Sequence, residues 1–449
     1  MSPLRPRHPR SAHEAQLLAA AERLLPTGVR NPSVSPEYAM VVQAARGARI
    51  WDASGNAYID YLLGSGPMLL GHAHPAVVAA VREQLERGSS YLMVSEPAIR
   101  LAEEIVALVP CAEAVCFHSS GSESVFFALR LARAYRRRTK ILKFEGGFHG
   151  MSDYALMSNQ WTRAPREFPA AVPNSAGIPD AVADGVLVAP FNDIDTTAAI
   201  VERHHDALAG VVVEPLQRTI PPRPGFLAEL RRITRHYDIP LVFDEVVTGF
   251  RLALGGAQAH YGVTPDLCAL GKAISGGHPL GVLCGREDIM ALSRQERQAS
   301  GDHVLQTGTF SGNPISAAAA LACIRELRTP GCYDALAARG RRLMEGLQAR
   351  LDAARLPARV TGEPSVFQPW FTEGEIVDHR TTLAADWQRG VRFVDLLLDA
   401  GVVKAHEKFF VSMAHTDEDV EQTLDAFSYA VERLAQPHGG SPRHTPCRD

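Results

Sequence analysis

The sequence lacks the features that would define three other classes of protein. No run approaches the roughly 18 consecutive apolar residues that a membrane-spanning helix needs, so none is expected. The 46 basic side chains are outnumbered by 50 acidic ones, whereas nucleic-acid-binding proteins usually carry a basic excess. The seven cysteines are odd in number and form no C-x-x-C pair. A disulfide framework or a metal site is therefore not predicted, and a reducing, cytoplasmic location fits best.

What the 449-residue chain does contain is an alternation of apolar runs and amphipathic stretches between about residues 66 and 325. Residues 211–213 and 240–243 are apolar without polar alternation, which is typical of strands buried on both faces of a parallel sheet. Residues 124–137 and 226–237 have helical periodicity. The alternation predicts an α/β fold with a doubly wound sheet.

The two flanks of the chain predict a second, smaller α+β domain. Short strands are expected within residues 41–63, and helices and strands follow from about residue 331. We expect residues 1–15 and 436–449 to be disordered tails, because they have little to bury. Between them, the predicted division is 16–65 and 331–435 for the two parts of the small domain and 66–330 for the large domain.

Four polar segments follow apolar runs, and in open α/β sheets ligands bind beyond the carboxyl ends of the strands. Residues 119–124 precede a helix, and Asp244 ends a strand. Lys272 follows the next apolar run, and residues 307–314 precede an alanine-rich helix. Taken singly, each also has a structural interpretation, as a helix cap, a capping carboxylate, a loop lysine or a turn.

Taken together, the four segments suit one cofactor. Pyridoxal phosphate needs a lysine for covalent attachment, an acidic partner for its ring nitrogen and a cradle for its phosphate. A lysine between glycines and apolar residues can be desolvated, which lowers its pKa and frees the nucleophilic amine. Small residues before a helix offer backbone N–H groups and the helix dipole to an anion. The sequence therefore predicts pyridoxal 5′-phosphate as the cofactor.

The motifs resemble those of the class III (subgroup II) aminotransferases of fold type I, over about residues 20–435. Within that class, the chain is most similar to the glutamate-1-semialdehyde 2,1-aminomutases. The resemblance rests on residues 71–75 (GHAHP), 120–123 (SGSE), 143–150 (KFEGGFHG), 243–246 (FDEV), 270–272 (LGK) and 308–309 (GT). It implies a mostly parallel seven-stranded sheet in the large domain and a homodimer.

The resemblance also implies roles for individual residues. Lys272 is expected to be the Schiff base lysine and to move the proton, and Asp244 to keep the pyridine nitrogen protonated; these are the predicted catalytic residues. The other implied cofactor contacts are Gly121 and Ser122 with the phosphate, Phe148 and Val246 with the two ring faces, His149 and Glu214 within the site, and Thr309 with the phosphate of the partner subunit. Phe148 stands where a tyrosine is usual.

The chain departs from the aminomutase pattern in its substrate-binding residues. Ser65 stands where the aminomutases have a tryptophan. Val34 replaces an arginine that binds the substrate carboxylate, which leaves Arg30 as the nearest guanidinium. A bulkier segment around Arg163 replaces a gating loop rich in glycine and serine. Ser65, Arg30, Arg163 and Arg251 are the candidate substrate contacts.

These departures favour an aminotransferase that moves an amino group from an amino acid or primary amine to a keto or aldehyde acceptor. The alternative is an isomerase of the glutamate-1-semialdehyde 2,1-aminomutase type, which moves the amino group within one substrate. A second alternative is an inactive relative with a binding role, against which the presence of Lys272 and Asp244 counts. The expected partners are small molecules and a second copy of the chain, not nucleic acid or a membrane.

Overall fold

The computed structural model describes residues 8–26, 38–159 and 167–436. The strands are β1 (Val42–Arg46), β2 (Arg49–Asp52), β3 (Ala57–Asp60), β4 (Ala114–His118), β5 (Lys140–Phe144), β6 (Val186–Ala189), β7 (Leu208–Val213), β8 (Leu241–Glu245), β9 (Leu267–Leu270), β10 (Gly281–Gly285), β11 (Arg359–Glu363), β12 (Val366–Trp370), β13 (Val402–Val403) and β14 (Phe409–Phe410).

The α-helices are α1 (Ala12–Leu24), α2 (Pro75–Glu86), α3 (Glu96–Leu108), α4 (Gly121–Arg136), α5 (Asp180–Ala183), α6 (Ile194–His204), α7 (Phe226–His236), α8 (Gly256–Tyr261), α9 (Glu287–Met290), α10 (Pro314–Leu327), α11 (Cys332–Ala353), α12 (His379–Thr382), α13 (Trp387–Asp399) and α14 (Asp417–Ala435). Short 3₁₀ helices lie at Leu63–Ser65, Lys272–Ser275, Ala291–Ser293 and Gln295–Ser300. Within the described ranges, no helix is long and apolar enough to cross a membrane.

The central sheet has seven strands in the order β4-β10-β9-β8-β7-β5-β6. Neighbouring strands from β9 to β6 pair in parallel, and β10 is antiparallel to both β4 and β9. Every residue of β7 and β8 is buried, as expected when helices cover both faces of a sheet. The predicted fold class, α/β with a mostly parallel seven-stranded sheet, is confirmed.

This topology brings several chain segments to one edge of the sheet. All strands except β10 run in the same direction, so their carboxyl ends meet there. Asp244 lies near the end of β8, Lys272 follows β9 within two residues, and Glu214 follows β7 directly. The loop after β5 and the start of α4 after β4 complete the same edge.

Helix α4 begins at Gly121, three residues before its predicted start at Ser124. The reason is a capping box: the Ser120 hydroxyl accepts from the N–H of Glu123, and the Glu123 carboxylate accepts from the N–H of Ser120 at 2.9 Å. These reciprocal bonds extend the helix to Gly121, and Ser120 takes the capping role that was the structural interpretation of this segment.

The remaining strands form two smaller sheets, β1-β2-β3-β13 and β11-β12-β14. Strand β13 pairs in parallel with β3, with Val402 opposite Ile59, so segments from both halves of the chain share one sheet. In the other sheet, the rings of Phe367 and Phe409 stack with centroids 4.9 Å apart. The helices α11, α13 and α14 pack with these strands around Phe427 and its neighbours.

The first helix corrects the expected N-terminal tail. Helix α1 begins at Ala12, inside the range 1–15 that was predicted to be disordered. Its residue Glu14 is fully buried, and the carboxylate accepts from the N–H of Val41 at 2.8 Å and from the Ser54 hydroxyl. Two charged-group hydrogen bonds fix this segment, which a composition argument does not detect. Residues 1–7 and 437–449 lie outside the described ranges.

Candidate active site

A cavity of about 620 Å³ opens at the carboxyl edge of the central sheet. Eight of the nine expected cofactor contacts line it: Gly121, Ser122, Phe148, His149, Glu214, Asp244, Val246 and Lys272. The opposite wall comes from the small sheets and their loops, through residues such as Glu407, Lys408 and Phe410. Residues separated by more than half of the chain therefore face one another across a single space.

Asp244 is 6% exposed, and both of its carboxylate oxygens are engaged. His149 Nδ1 donates to Oδ2 at 2.8 Å, and the N–H of Val246 donates to Oδ1 at 3.1 Å. These bonds hold the carboxylate against the cavity, and each oxygen keeps a second lone pair for a further donor. His149 Nε2 is buried and has no hydrogen-bond partner among the described residues. The arrangement fits an acidic partner for a protonated ring nitrogen.

Lys272 follows Gly271 and begins a short 3₁₀ helix with φ of 42°. A side-chain-bearing residue rarely adopts this left-handed conformation, and such strain is concentrated at functional sites. Burial lowers the pKa of the Lys272 amine, while the charges of Asp244 and Glu214 act in the opposite direction. The result is an amine that is deprotonated more easily than a solvated lysine, as a nucleophile requires.

The start of α4 provides an anion-binding surface in the same cavity. The Glu123 carboxylate accepts hydrogen bonds from the N–H groups of Ser119 and Ser120, both at 2.9 Å. Gly121 and Ser122 are the first two residues of the helix, where no preceding carbonyl is available to their N–H groups. A Cβ atom on Gly121 would lie 2.7 Å from each methyl of Val246, so only glycine permits this close approach.

The Glu214 carboxylate connects two loops that border the cavity. It accepts from the N–H of Phe148 at 2.7 Å and from the N–H of Arg218 at 3.3 Å. The Phe148 ring, half-buried, lies 5.8 Å from the Arg218 guanidinium carbon, within the range of a cation–π contact. Glu214 thereby fixes an aromatic wall and a cation beside Asp244 and Lys272.

A buried lysine supports the loop that carries Phe148 and His149. The Lys143 ammonium, 1% exposed, donates to the carbonyls of Gly147 at 2.9 Å and Ala155 at 3.3 Å, and also to that of Met157. Burial lowers its pKa to about 7. Lys143 does not line the cavity, so its position within the KFEGGFHG motif is explained by its contacts with the loop backbone.

The candidate substrate contacts have different outcomes. Ser65 lines the cavity from a tight turn with φ of 68°. Arg251 does not: its side chain is buried, and it donates to the carbonyls of Ser365 at 3.3 Å and Val411 at 3.2 Å. It also donates to the carbonyl of Gly66. The assignment of Arg251 to the substrate is therefore wrong, because main-chain carbonyls already use its guanidinium.

Two further predicted contacts, Arg30 and Arg163, lie outside the described residues, as does Val34. Thr309 is described, but it is exposed and does not line the cavity of its own chain. Its contact with the site of a partner subunit stays a prediction.

Two cations in the cavity wall were missed by sequence reasoning. Arg218 forms an ion pair with Glu407, and Lys408 lies next to that glutamate in the chain. Burial and the nearby Arg218 charge lower the pKa of Lys408 to about 7. A signal existed for each residue: Arg218 follows the strand-end residue Glu214 by four positions, and Lys408 is one of only five lysines. Neither belongs to a family motif, so the motif search passed over both.

Comparisons with known proteins give a consistent assignment. The profile of the family described as aminotransferase class-III matches residues 31–431. The chain is 42% identical over 423 residues to the glutamate-1-semialdehyde 2,1-aminomutase of Desulforudis audaxviator, covering 92% of this chain and 96% of the relative. It is 39% identical to glutamate-1-semialdehyde 2,1-aminomutase 2 of Brevibacillus brevis, covering 93% and 98%.

Among solved structures, the chain is similar to an omega-transaminase from Sphaerobacter thermophilus, with a TM-score of 0.89, 37% identity and coverage of 96% and 99%. A glutamate-1-semialdehyde-aminomutase from Pseudomonas aeruginosa PAO1 gives a TM-score of 0.83 at 26% identity, covering 94% of each chain. The two structures share their fold with this chain but carry different reaction names.

The sheet topology is that of the fold type I pyridoxal-phosphate enzymes. The chain belongs to the class III aminotransferase family. Its cofactor is pyridoxal 5′-phosphate, in keeping with family members whose structures contain that cofactor or its amino form. The residues present fit the cofactor: a desolvated lysine, a buried aspartate and free N–H groups at a helix start surround one cavity.

Proposed function

We propose that the protein is an aminotransferase that moves an amino group from an amino acid or primary amine to a keto or aldehyde acceptor. The observation that carries this proposal is Ser65, a small side chain in the cavity wall at the position where the aminomutase motif has tryptophan. A serine leaves more room for a product to leave and an acceptor to enter. The similarity to an omega-transaminase at 37% identity supports the same reaction.

When bound, pyridoxal phosphate supplies an electron sink for a carbanion at the substrate Cα. In the proposed arrangement, the Lys272 amine would hold the cofactor covalently, then take the proton from the substrate Cα and deliver it to the C4′ carbon of the cofactor. Asp244 accepts a charge-assisted hydrogen bond from the protonated ring nitrogen, a contact worth about 1.5–3 kcal/mol. His149 orients that carboxylate through its 2.8 Å bond.

The other residues of the cavity position the cofactor. The N–H groups of Gly121 and Ser122 bind the phosphate, which the partial positive charge at the start of α4 also stabilises. Phe148 and Val246 enclose the ring from its two faces. Thr309 contacts the phosphate in the partner subunit, so the active form is a homodimer. We also propose the cytoplasmic location that the sequence predicts.

An anionic group on the substrate would meet two cations at the far wall. Arg218 and Lys408 both line the cavity; Arg218 is paired with Glu407, and Lys408 forms no ion pair among the described residues. We propose that they attract a substrate carboxylate, a task that a guanidinium performs through a planar, bidentate fork. Arg30 and Arg163 remain proposed contacts for the same group.

The second candidate function is the aminomutase reaction. It is favoured by the curated relatives, which are glutamate-1-semialdehyde 2,1-aminomutases at 38–42% identity. An aminomutase must retain one intermediate through both half-reactions, so it needs a firm hold on the substrate carboxylate. The valine at position 34 and the serine at position 65 count against such a hold.

A steady-state comparison separates the two reactions. Purified holoenzyme is assayed with a panel of amine donors and keto-acid or aldehyde acceptors, and in parallel with glutamate-1-semialdehyde alone. We expect turnover that requires both donor and acceptor. Formation of 5-aminolevulinate without an acceptor, at a rate above that of the best donor–acceptor pair, would establish the aminomutase reaction instead.

A further inference from the structure

Three cysteines that are distant in the sequence lie close together at strands β9 and β10 of the central sheet. Cys268 and Cys284 are cross-strand partners on β9 and β10, and Cys111 lies in the turn between α3 and β4. Their three sulfur atoms all lie within 4.8 Å of one another. Cys111 is 4% exposed and the other two are fully buried. The sequence predicted no metal site because only the spacing of cysteines along the chain was considered. That spacing does not show that these three cysteines are close in the folded protein.

The surroundings of the three thiols contain an unsatisfied donor. Gln258 is 2% exposed; its Oε1 accepts from the N–H of Cys111 at 3.0 Å, while its Nε2 has no hydrogen-bond partner among the described residues. Leaving a buried donor without a partner is energetically unfavourable. The Gln258 side chain therefore lies beside Cys111 with a donor that is available to a thiolate.

A carboxyl group lies on the other side of the cluster. Cys268 Sγ is 3.9 Å from Glu245 Oε1. The Glu245 carboxylate already accepts from the Thr248 hydroxyl at 3.0 Å and from the N–H groups of Gln258, at 3.3 Å, and Ala257. These bonds leave it poorly placed as a metal ligand.

We propose that Cys111, Cys268 and Cys284 form a three-coordinate binding site for a thiophilic ion, Cu(I), separate from the cofactor site. Thiolate ligands select soft ions such as Cu(I). A metal–sulfur bond of about 2.3 Å places the three sulfurs of a trigonal site roughly 4.0 Å apart, which agrees with the observed limit of 4.8 Å. Zinc prefers four ligands, and the described residues supply only three at this point.

The ion has a route that avoids the cofactor. Cys111 also lines a second cavity of about 350 Å³, together with polar residues that include Glu113, Asp266 and Arg286. Binding displaces thiol protons to solvent, and copper enters and leaves as Cu(I), so no electron transfer is involved. Loss of three thiol protons leaves two net negative charges on the Cu(I)–thiolate site, and the unpartnered Gln258 Nε2 near Cys111 offers a donor to them.

The test is an anaerobic titration of reduced holoenzyme with Cu(I) alone, in competition with the chromophoric chelator bathocuproine disulfonate. We expect one Cu(I) per chain and a copper absorption-edge spectrum of three sulfur ligands at one distance. Cys284→Ser is expected to weaken binding by about 100-fold or more, since even the removal of a supporting group around a metal costs 10–100-fold. Cys323→Ser is the matched control, because Cys323 is buried but lies outside the cluster.

Folding is checked on each variant by its thermal midpoint and by the absorbance of the bound cofactor. If Cys284→Ser does not fold, Cys111→Ser replaces it, because Cys111 borders a cavity and lies outside the strands. The proposal is overturned if the wild type retains no copper against the chelator. It is also overturned if Cys323→Ser loses as much affinity as the cluster variant. Neither result bears on the amino-transfer reaction.

Discussion

The sharpest consequence of the site concerns Asp244→Asn. The amide keeps the shape of the carboxylate and can accept from one of its two present donors, His149 Nδ1 and the N–H of Val246. Because His149 can shift its proton to Nε2, the fold should tolerate the change. The lost interaction is the charge-assisted bond to the ring nitrogen, worth about 1.5–3 kcal/mol, or roughly 10- to 150-fold in cofactor affinity. The rate of the half-reaction should also fall by about 100- to 1,000-fold, because electrostatic stabilisation of the reacting centre is lost.

Both quantities are measurable on one preparation. Titration of the apoenzyme with pyridoxal phosphate gives the affinity, and the half-reaction with a productive amine gives the rate. The thermal midpoint of the apoenzyme reports on folding. Asp153→Asn, at an exposed aspartate, should leave all three values unchanged. Cofactor affinity and rate within about threefold of wild type in Asp244→Asn would refute the role given to this carboxylate.

The remaining predictions concern the lysine, the subunit interface and the distal cations. Lys272→Ala should remove the visible absorbance of the covalently bound cofactor and nearly all turnover, whereas Lys140→Ala should retain both; retained absorbance would mean that another lysine is attached. Mixing Lys272→Ala subunits with Thr309→Ala subunits should recover activity above either parent, because one site of each heterodimer carries neither change; purely additive loss would contradict a shared site. Lys408→Met should raise KM for anionic substrates by about tenfold with little change in kcat. Since the pKa of Lys408 is lowered to about 7, wild-type KM should rise above that pH while the variant's does not; parallel pH profiles would exclude Lys408 from substrate binding.

The strands that position the site were predictable because their burial leaves a plain trace in the sequence. Residues 211–213 and 241–243 lie in β7 and β8, which are buried throughout. The segment after β4 and the residues Asp244 and Lys272 were predicted to meet because parallel strands end at one edge. In the structure they line one cavity.

The small number of lysines in the chain is not enough to identify the one that attaches the cofactor. Lys143, Lys404 and Lys408 are also buried, so scarcity does not separate the proposed attachment site from lysines with structural roles. Lys143 holds backbone carbonyls, and Lys404 donates to Gln368 Oε1 at 2.8 Å. The flanking glycines and the preceding strand are the features that distinguish Lys272 from these structural lysines.

Features that depend on tertiary approach were not predictable. Lys408 reaches the cavity only because the loop before β14 lies against the sheet edge. Arg251 was a candidate substrate contact because its guanidinium could bind a carboxylate. Only the structure shows that main-chain carbonyls accept its hydrogen bonds instead. The three clustered cysteines come from a turn and two strands, and no local spacing relates them.

The central claim, that the protein transfers an amino group between two substrates, is tested most directly by the cofactor spectrum in a single turnover. Holoenzyme is mixed with a productive amine in the absence of an acceptor, and the keto product and the absorbance are followed together. The account predicts one equivalent of released keto product per site and a cofactor left in its amino form, restored by an added keto acid. No released product, with glutamate-1-semialdehyde converted to 5-aminolevulinate in the same preparation, would contradict it.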